Sequence, residues 1–336
     1  MNFAIIGCGR IAPRHAQAIE TIPGAKLVAV CDILPHRAEN FVEKHGGTAY
    51  ANHMEMLKRD DIDIVCVCVP SGLHSQIGQD AARAGKHVLV EKPIALSVED
   101  AEALIHTCEA REVVLGVVLQ NRFNLPMQDL RRVVDHGKLG KLLLGSVTVR
   151  WFRPQSYYED GWHGTWSMDG GALMNQSIHH IDALQWLMGE PYSVFAYTAT
   201  LAHTMEAEDT GVAILKFKNG GLGRVEGSTI TYPENLEGSI ALFGEKGSVK
   251  VGGTALNRKV LWKVAGELEQ EREILMREEI DPPTVYGYGH REQIIEMINA
   301  VKENRPPSTN GHEAIKSLKL VLAMYESARL HKEVFL

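Results

Sequence analysis

Glycines with a distinctive spacing follow the first apolar run of the chain. The run from Phe3 to Ile6 leads into Gly7-Cys8-Gly9-Arg10-Ile11-Ala12, which has the pattern G-x-G-x-x-A. Between a strand and a helix, the first glycine permits a tight turn, the second lets the backbone approach a pyrophosphate, and the alanine permits close helix packing. The N–H groups and dipole of the following helix favour phosphate anions. The pattern therefore predicts a dinucleotide site at this turn.

A carboxylate ends the second apolar run, which extends from Leu27 to Cys31. Asp32 lies 20 residues after Ala12, where a carboxylate can accept a hydrogen bond from the ribose 2′-OH. The same charge repels the 2′-phosphate of NADP, so Asp32 predicts NAD. The nearby cation of Arg37 weakens this preference.

A lysine follows a further apolar run in the same half of the chain. The run from His87 to Val90 precedes Glu91-Lys92-Pro93, and the run from Ile62 to Val69 precedes Pro70-Ser71-Gly72-Leu73-His74. Ligand crevices lie at the carboxyl ends of parallel strands. A lysine partly removed from water there has a lowered pKa and can move protons near neutral pH. Lys92 is therefore a candidate for proton transfer; the alternative is an ordinary loop lysine.

Strands and helices that alternate along the chain must position these residues. The β-branched run from Ile62 to Val69 is typical of a strand buried on both faces of a parallel sheet. Alternating strands and helices predict βαβ units in a doubly wound sheet. The predicted strands are 3–6, 27–31, 62–69, 87–90 and 113–119, and the predicted helices are 13–21, 35–44, 73–84 and 98–109, the last capped by Ser97.

The pattern changes in the second half, where strand follows strand with glycine punctuation. This pattern predicts an α+β domain with a large, mostly antiparallel open sheet. We expect domains at 1–120 and 121–336, with the last helix as the element that could pack back on the first domain. The predicted strands are 141–152, 193–202, 211–217, 222–231, 236–243 and 248–251, and the predicted helices are 177–188, 290–302 and 311–331.

Three motifs in this order resemble the Gfo/Idh/MocA (glucose-fructose oxidoreductase / inositol dehydrogenase) superfamily. They are GCGRIA at 7–12, PSGLH at 70–74 and EKP at 91–93, followed by a β-rich half. The resemblance implies an NAD-binding Rossmann domain and a substrate-binding, oligomerising domain. One subgroup, the UDP-2-acetamido-2-deoxy-glucuronate 3-dehydrogenases of bacterial surface-polysaccharide synthesis, is similar over six longer strings: RPQSYYEDGWHGTWSMDGG at 153–171, MNQSIHHIDALQWLMG at 174–189, AYTATL at 196–201, TYPENLEGSI at 231–240, GEKGSV at 244–249 and VYGYGH at 285–290.

The resemblance also implies which residues act on the substrate. The family carries a catalytic lysine in EKP, which is Lys92 here. Its helix motif is usually D-x-x-x-H-x-x-D, which matches Asn175, His179 and Asp182. Asn replaces the usual Asp, as in the nucleotide-sugar subgroup. Independently, the spacing i, i+4, i+7 places the three residues on one face of a helix.

An aromatic segment precedes this helix. Arg153, Tyr157, Tyr158 and Trp162 stand among Gly, Pro, Asp and Glu, which suits a shaped loop. Such residues can hold a uracil ring and a diphosphate by stacking and charge-assisted hydrogen bonds. Contact between subunits is the alternative.

The sequence and the resemblance together predict an NAD-dependent oxidoreductase that oxidises the 3-hydroxyl of a UDP-linked 2-acetamido uronic acid. One of Lys92 and His179 takes the hydroxyl proton, and the other polarises the oxygen. Alternatives are a dehydrogenase of free sugars or inositol, and a non-catalytic NAD(H)-binding regulator. Catalytic residues are predicted at Lys92, His179 and Asn175; substrate contacts at Lys92, Arg153, Tyr157, Tyr158, Trp162, Asn175 and His179; and cofactor contacts at Gly7, Gly9, Arg10, Ile11, Asp32, Arg37, Pro70, Ser71, His74, Glu91, Lys92 and Gln120.

Composition limits the partners. The 336 residues carry a net charge of −7, which argues against nucleic-acid binding. No apolar stretch approaches the roughly 20 residues that span a bilayer, and no leader sequence is evident, so we expect a cytoplasmic enzyme without membrane contact. Five cysteines and no metal-binding spacing predict a reducing compartment and no metal site. Strands that are apolar on both faces predict a homo-oligomer, most simply a tetramer.

Overall fold

Six parallel strands form the sheet of the first half of the chain. A computed structural model describes residues 1–253, 255–266 and 289–336. The strand order is β3-β2-β1-β4-β5-β6, and every neighbouring pair is parallel. The order reverses between β1 and β4, which is where ligands bind in open sheets of this kind. The strands are β1 (Asn2–Ile6), β2 (Lys26–Cys31), β3 (Thr48–Tyr50), β4 (Ile64–Val67), β5 (His87–Val90) and β6 (Leu115–Val117).

Helices connect these strands and continue through the second half. Helix α5 begins after Ser97, whose side chain accepts a hydrogen bond from the Asp100 N–H, so the predicted N-cap is confirmed. The helices are α1 (Ala12–Glu20), α2 (Pro35–His45), α3 (His53–Met56), α4 (His74–Arg83), α5 (Val98–Ala110), α6 (Leu125–Asp135), α7 (Ile178–Met188), α8 (Gly289–Lys302) and α9 (Gly311–Leu330).

An eight-stranded sheet forms the second half. Its order is β13-β12-β11-β7-β10-β9-β8-β14. The pair β7–β10 is parallel and the other pairs are antiparallel, which confirms the predicted mostly antiparallel sheet. The strands are β7 (Leu142–Arg150), β8 (Pro191–Ala199), β9 (Thr210–Phe217), β10 (Leu222–Ser228), β11 (Glu237–Gly244), β12 (Gly247–Gly252), β13 (Arg258–Val264) and β14 (Val334–Phe335).

Helix α7 packs closely against one face of this sheet. A Cβ added at Gly145 of β7 would lie 2.6 Å from Leu184 Cδ1 and 2.8 Å from Met188 Cγ, both on α7. Glycine in the strand therefore lets the helix approach the sheet. The close packing fixes the position of the polar residues that α7 carries.

The described residues divide into two compact units. One contains Met1–Leu119 and His290–Ile315, and the other contains Gln120–Gly289 and Lys316–Leu336. None of the helices among the described residues is long and apolar enough to cross a membrane.

The structure adds elements that the sequence analysis omitted. These include α6, which begins with a proline in its first turn, and the strands β3, β13 and β14. Residues 285–288 of the VYGYGH string lie outside the described residues.

Candidate active site

The first glycine of the predicted dinucleotide motif is required by the chain's own geometry. Gly7 follows β1 with φ +94°, a conformation that favours glycine. A Cβ added there would lie 2.5 Å from the carbonyl oxygen of Cys68, after β4. The Gly7 N–H donates to the Cys31 carbonyl at 2.8 Å, so the turn is tied to β2 as well.

The second glycine is different, because the protein itself does not need it. A Cβ added at Gly9 would meet no atom within 4 Å. The backbone therefore borders open space just before α1, where a pyrophosphate must come close to the chain. This open approach fits a dinucleotide. Arg10 is exposed in the same turn, and Ile11 is half-buried at the start of α1.

Asp32 joins the glycine turn to the start of the next helical connection. Its carboxylate accepts the Cys8 N–H at 2.9 Å through Oδ2 and the Leu34 N–H at 2.9 Å through Oδ1. Each carboxylate oxygen has a further lone pair, so the buried Asp32 can still accept from a ribose hydroxyl. Arg37 lies exposed on α2, three residues after Leu34.

The loop that carries Lys92 is anchored through the residue before it. Glu91 Oε1 lies 2.8 Å from His15 Nε2, and Glu91 Oε2 accepts the Lys92 N–H at 3.3 Å. Burial opposes ionisation, but hydrogen bonds from His15 and His290 hold the pKa of Glu91 well below its ordinary value. The charged carboxylate therefore fixes the backbone at Lys92.

The same loop is anchored a second time after Lys92. His74 Nδ1 lies 2.6 Å from the Pro93 carbonyl oxygen, and His74 Nε2 lies 2.9 Å from the Val69 carbonyl oxygen. The imidazole thus connects the end of β4 to the EKP loop. Since both ring nitrogens face carbonyl groups, cofactor contact by the His74 side chain stays a prediction, as it does for Pro70 and the buried Ser71.

His15, Glu91 and His290 also place three possible metal-ligand atoms within 4.8 Å of one another. The contact between His15 and Glu91 has the length of a hydrogen bond. We interpret the group as a hydrogen-bonded anchor for the EKP loop. The expected absence of a metal stays a prediction.

Asn175 does not lie on the same α-helix as His179 and Asp182. Residues Ala172–Gln176 form a π-helical turn, and α7 begins at Ile178. The prediction that one helix carries 175, 179 and 182 is therefore wrong: two residues lie on α7 and the third lies on the turn before it. Glu208 holds this turn, because its Oε1 accepts the Leu173 N–H at 2.8 Å and the Tyr325 hydroxyl at 3.0 Å. Burial raises the pKa of Glu208 to about 7.

Asp182 forms an ion pair with Arg122, which was not among the predicted site residues. Arg122 donates to it twice, from Nε to Oδ2 and from Nη2 to Oδ1, each at 2.8 Å, and both side chains are buried. Such a fork pairs a planar guanidinium with a carboxylate. The sequence signal for this pair was an Arg five residues after the end of β6, close to the predicted domain boundary.

His179 faces an amide inside the second unit. Its Nε2 lies 3.4 Å from Gln120 Nε2, and both side chains are buried. The Gln120 NH₂ group can donate to Nε2 of a neutral ring, and such a ring has the capacity to act as a base. Gln120, predicted to contact the cofactor, thus contacts a predicted catalytic residue.

Asn175 contacts a buried carboxylate that sequence reasoning missed. Its Nδ2 donates to Asp169 Oδ1, and Asp169 Oδ2 accepts the Gly164 N–H at 2.8 Å. Asp169 therefore connects the π-helical turn to the segment that carries the aromatic residues. No spacing rule marks a pair six residues apart across a turn of this kind.

In the predicted aromatic loop, the hydroxyl of Tyr158 is used within the fold, whereas Arg153 and Trp162 contact neighbouring rings. The Arg153 guanidinium lies 5.3 Å from the Trp151 ring and 5.5 Å from the Tyr157 ring. Trp162 packs on His163 with ring centroids 3.6 Å apart. Tyr158 is buried, its hydroxyl is 2.9 Å from Thr229 Oγ1, and burial raises its pKa to about 12. Its hydroxyl serves the fold, and substrate contact by Tyr158 stays a prediction.

Comparisons with known proteins agree with this arrangement. Residues 1–119 match the NAD-binding Rossmann fold of the Gfo/Idh/MocA oxidoreductase family, and residues 131–336 match the C-terminal alpha/beta domain of that family. Myo-inositol 2-dehydrogenase of Thermotoga maritima is 28% identical over an alignment of 345 positions, which covers 99% of this chain and 98% of that protein.

Two solved structures are more similar. The WlbA dehydrogenase of Bordetella pertussis, in complex with NADH and UDP-GlcNAcA, is 40% identical with a TM-score of 0.94, covering 100% of this chain and 97% of that chain. The WlbA dehydrogenase of Chromobacterium violaceum, in complex with the same two molecules, is 41% identical with a TM-score of 0.90, covering 100% and 96%. The chain thus belongs to the Gfo/Idh/MocA family, and it is an NAD-dependent oxidoreductase of the sugar and polyol class that acts on a CH–OH group.

Proposed function

We propose that this enzyme oxidises the 3-hydroxyl of a UDP-linked 2-acetamido-2-deoxy-glucuronic acid to the 3-keto sugar, as a step in making a surface-polysaccharide sugar. The observation that carries the proposal is the similarity over the whole chain, at 40% identity, to a dehydrogenase solved with NADH and UDP-GlcNAcA. The amide at Asn175, where the wider family usually has a carboxylate, supports the same substrate class.

The reaction requires the substrate hydroxyl to lose a proton while C3 loses a hydride. NAD supplies the acceptor for the hydride when it is bound. The glycine turn and Asp32 are the residues that would hold it, since Gly9 leaves the backbone open and Asp32 retains acceptor capacity. The protein must position the substrate and transfer the proton.

We assign proton transfer to His179 and Lys92. His179 is buried with Nε2 facing an amide, which suits a neutral ring that can act as the base. Lys92 stands in a backbone held on both sides, by Glu91 and by His74. An ammonium held in this way would stabilise negative charge on the substrate oxygen. If Lys92 is the base instead, the ionisation of Lys92, and not that of His179, sets the acidic limb of the pH profile.

The nucleotide would be held by the aromatic segment. Arg153 carries a positive charge beside Tyr157, and Trp162 offers an aromatic ring nearby in sequence. A guanidinium binds diphosphate oxygens, and aromatic rings stack on uracil. We propose Arg153, Tyr157 and Trp162 as the contacts for the UDP portion.

Turnover with a defined substrate tests the proposal. UDP-GlcNAcA and NAD are mixed with the enzyme, NADH is followed by absorbance, and the product is reduced with borodeuteride to locate the carbonyl. We expect deuterium at C3 of the sugar. The 28% identical inositol dehydrogenase makes free polyols the second candidate. Turnover of myo-inositol or free glucose, with none of UDP-GlcNAcA, would establish that second function instead.

A further inference from the structure

We propose that Asp169 is a positioning residue that sets the orientation of the Asn175 amide and requires an amide, rather than a carboxylate, at that place. The inference rests on the proposed function only for the identity of the substrate. The pair itself lies within one compact unit.

Asp169 determines which end of the amide faces it. The Asp169 side chain is buried with 1% relative exposure, and it accepts hydrogen bonds from the Gly164 N–H at 2.8 Å and from Asn175 Nδ2. An ionised carboxylate can only accept. The Asn175 NH₂ group must therefore point to Asp169, and its carbonyl oxygen Oδ1 is directed away from Asp169, as an acceptor suited to a substrate hydroxyl.

Both ends of this contact are fixed by the backbone. Gly164 has φ +73°, and a Cβ added there would lie 2.9 Å from Tyr158 Cδ1 and 3.0 Å from Met205 Cβ. The Asn175 N–H donates to the Gly171 carbonyl at 2.9 Å, within the π-helical turn. The Asp169 carboxylate thus links two separately held pieces of backbone, so a change of charge at position 169 or 175 acts directly on the contact between them.

This geometry favours an amide over a carboxylate at position 175. Two carboxylates within hydrogen-bond distance cannot both be ionised, so one of them must hold a proton. With Asp169 in place, an aspartate at position 175 would meet it directly. The amide also avoids a second carboxylate near a substrate that is itself a uronate and a diphosphate. The carboxylate of Asp169 therefore favours a neutral side chain at position 175, and a neutral side chain also suits an anionic substrate.

Charge exchange between the two positions tests the pairing. Four proteins are compared: the wild type, Asn175→Asp, Asp169→Asn, and the double variant. In the double variant, the new amide at position 169 could accept from the Gly164 N–H and donate to the new carboxylate at position 175, which restores both hydrogen bonds.

We expect Asn175→Asp to lower kcat/KM by about 100-fold at pH 8, the size of effect that a misplaced reacting group produces. We expect the double variant to recover at least about tenfold of that loss, since coupled neighbours are not additive.

The pH dependence separates positioning from a general loss of structure. In Asn175→Asp, protonation of the carboxyl pair at low pH would relieve the repulsion. The ratio of its kcat/KM to that of the wild type should therefore rise as the pH falls from 8 to 6. The matched control is Asn175→Asp combined with Asp209→Asn. Asp209 is a buried carboxylate in the same unit that accepts the N–H groups of Leu201, Ala202 and His203 instead. This control should recover nothing.

Thermal unfolding of the same proteins needs no substrate. We expect Asn175→Asp to lower Tm and the double variant to regain most of the loss. Failure of the wild type to oxidise UDP-GlcNAcA would refute the proposed function, while the unfolding temperatures would still report on the pair. Additive changes in Tm, or equal recovery with Asp209→Asn, would overturn the role of Asp169.

Discussion

Lys92 and His179 are the side chains assigned to proton transfer, and each can be removed singly. We predict that Lys92→Ala and His179→Ala each lower kcat by about 10² to 10⁴-fold, the usual contribution of a general acid–base group. Steady-state kinetics gives kcat, and quenching of protein fluorescence by NADH gives cofactor affinity. The affinity should change little, since neither variant alters the glycine turn or Asp32.

The controls for this prediction are an exposed histidine and an exposed lysine. His106 and Lys58 are largely exposed and pair with nearby glutamates on the surface. His106→Ala and Lys58→Ala should retain full turnover. A near-normal kcat for either Lys92→Ala or His179→Ala would remove that residue from the mechanism.

Asp32 is predicted to make the enzyme prefer NAD over NADP. Asp32→Ala removes both the charge that repels a 2′-phosphate and the acceptor for the Cys8 and Leu34 N–H groups. Asp32→Asn removes the charge and retains an acceptor, so it separates the two effects. For both variants we expect the NAD to NADP ratio of kcat/KM to fall by at least about tenfold, which corresponds to about 1.4 kcal/mol. Equal use of both cofactors by the wild type would contradict the role of Asp32.

At the scale of residues, sequence reasoning finds side chains that follow a strand or stand in a motif. Gly7, Gly9, Asp32 and Lys92 are of this kind, because a strand end fixes where they lie. Asp169 and Arg122 were missed because their roles come from tertiary contacts with Asn175 and Asp182. A buried carboxylate needs a donor, but the sequence does not say which donor will be near.

At the scale of elements, the turn between β1 and α1 offers a matched pair of glycines. Gly7→Ala places a Cβ 2.5 Å from the Cys68 carbonyl at φ +94°, so we expect a loss of stability of at least about 1–3 kcal/mol. Gly9→Ala meets no atom within 4 Å, so its free energy of unfolding should change by less than about 0.5 kcal/mol. Its affinity for NADH should fall, because the methyl group occupies the approach of the pyrophosphate. Urea unfolding and NADH titration measure the two quantities.

The two glycines thus distinguish a structural role from a ligand-binding role. Unchanged NADH affinity in Gly9→Ala would mean that the open space beside Gly9 does not receive the pyrophosphate. Unchanged stability in Gly7→Ala would mean that the contact with Cys68 can relax.

Element boundaries show where sequence patterns stop being informative. The alternation of strands and helices predicted the parallel sheet, and the succession of strands predicted the antiparallel one, because hydrophobic patterning reflects burial directly. Asn175 was placed on one helical face with His179 and Asp182 from their spacing alone, and the π-helical turn at Ala172–Gln176 was not predicted. This turn is held by Glu208, which in turn accepts from Tyr325, and both residues are distant in sequence, so the local pattern does not reveal the contacts. By contrast, α6 has a proline in its first turn and buried residues at helical spacing, and this sequence pattern is sufficient to predict a helix.

At the scale of the whole molecule, one face of the eight-stranded sheet exposes apolar side chains. Val212 and Ile214 of β9, Tyr197 of β8 and Leu222 of β10 are all exposed in the single chain. Exposed apolar patches of this kind mark contact surfaces. We propose that the sheet packs against a second copy and that the enzyme is a homotetramer.

Light scattering after size exclusion tests this oligomer. We expect the mass of four chains at micromolar concentration. Ile214→Glu would bury a charge in the contact, so it should lower the mass. Met54→Glu changes an exposed apolar residue of α3 in the other unit, and the mass should stay the same. A wild type that runs as a stable monomer would contradict the proposed assembly.

The central claim is that the substrate is a nucleotide sugar, and the most direct measurement is the ratio of kcat/KM for UDP-GlcNAcA to that for the free 2-acetamido-2-deoxy-glucuronic acid. Binding energy from the remote UDP portion positions the reacting carbon, so we expect a ratio of at least about 100. In Arg153→Ala, KM for UDP-GlcNAcA should rise while the kinetics with the free acid stay the same. A ratio near one, with Arg153→Ala silent for both substrates, would contradict the nucleotide-sugar assignment and support a dehydrogenase of free sugars.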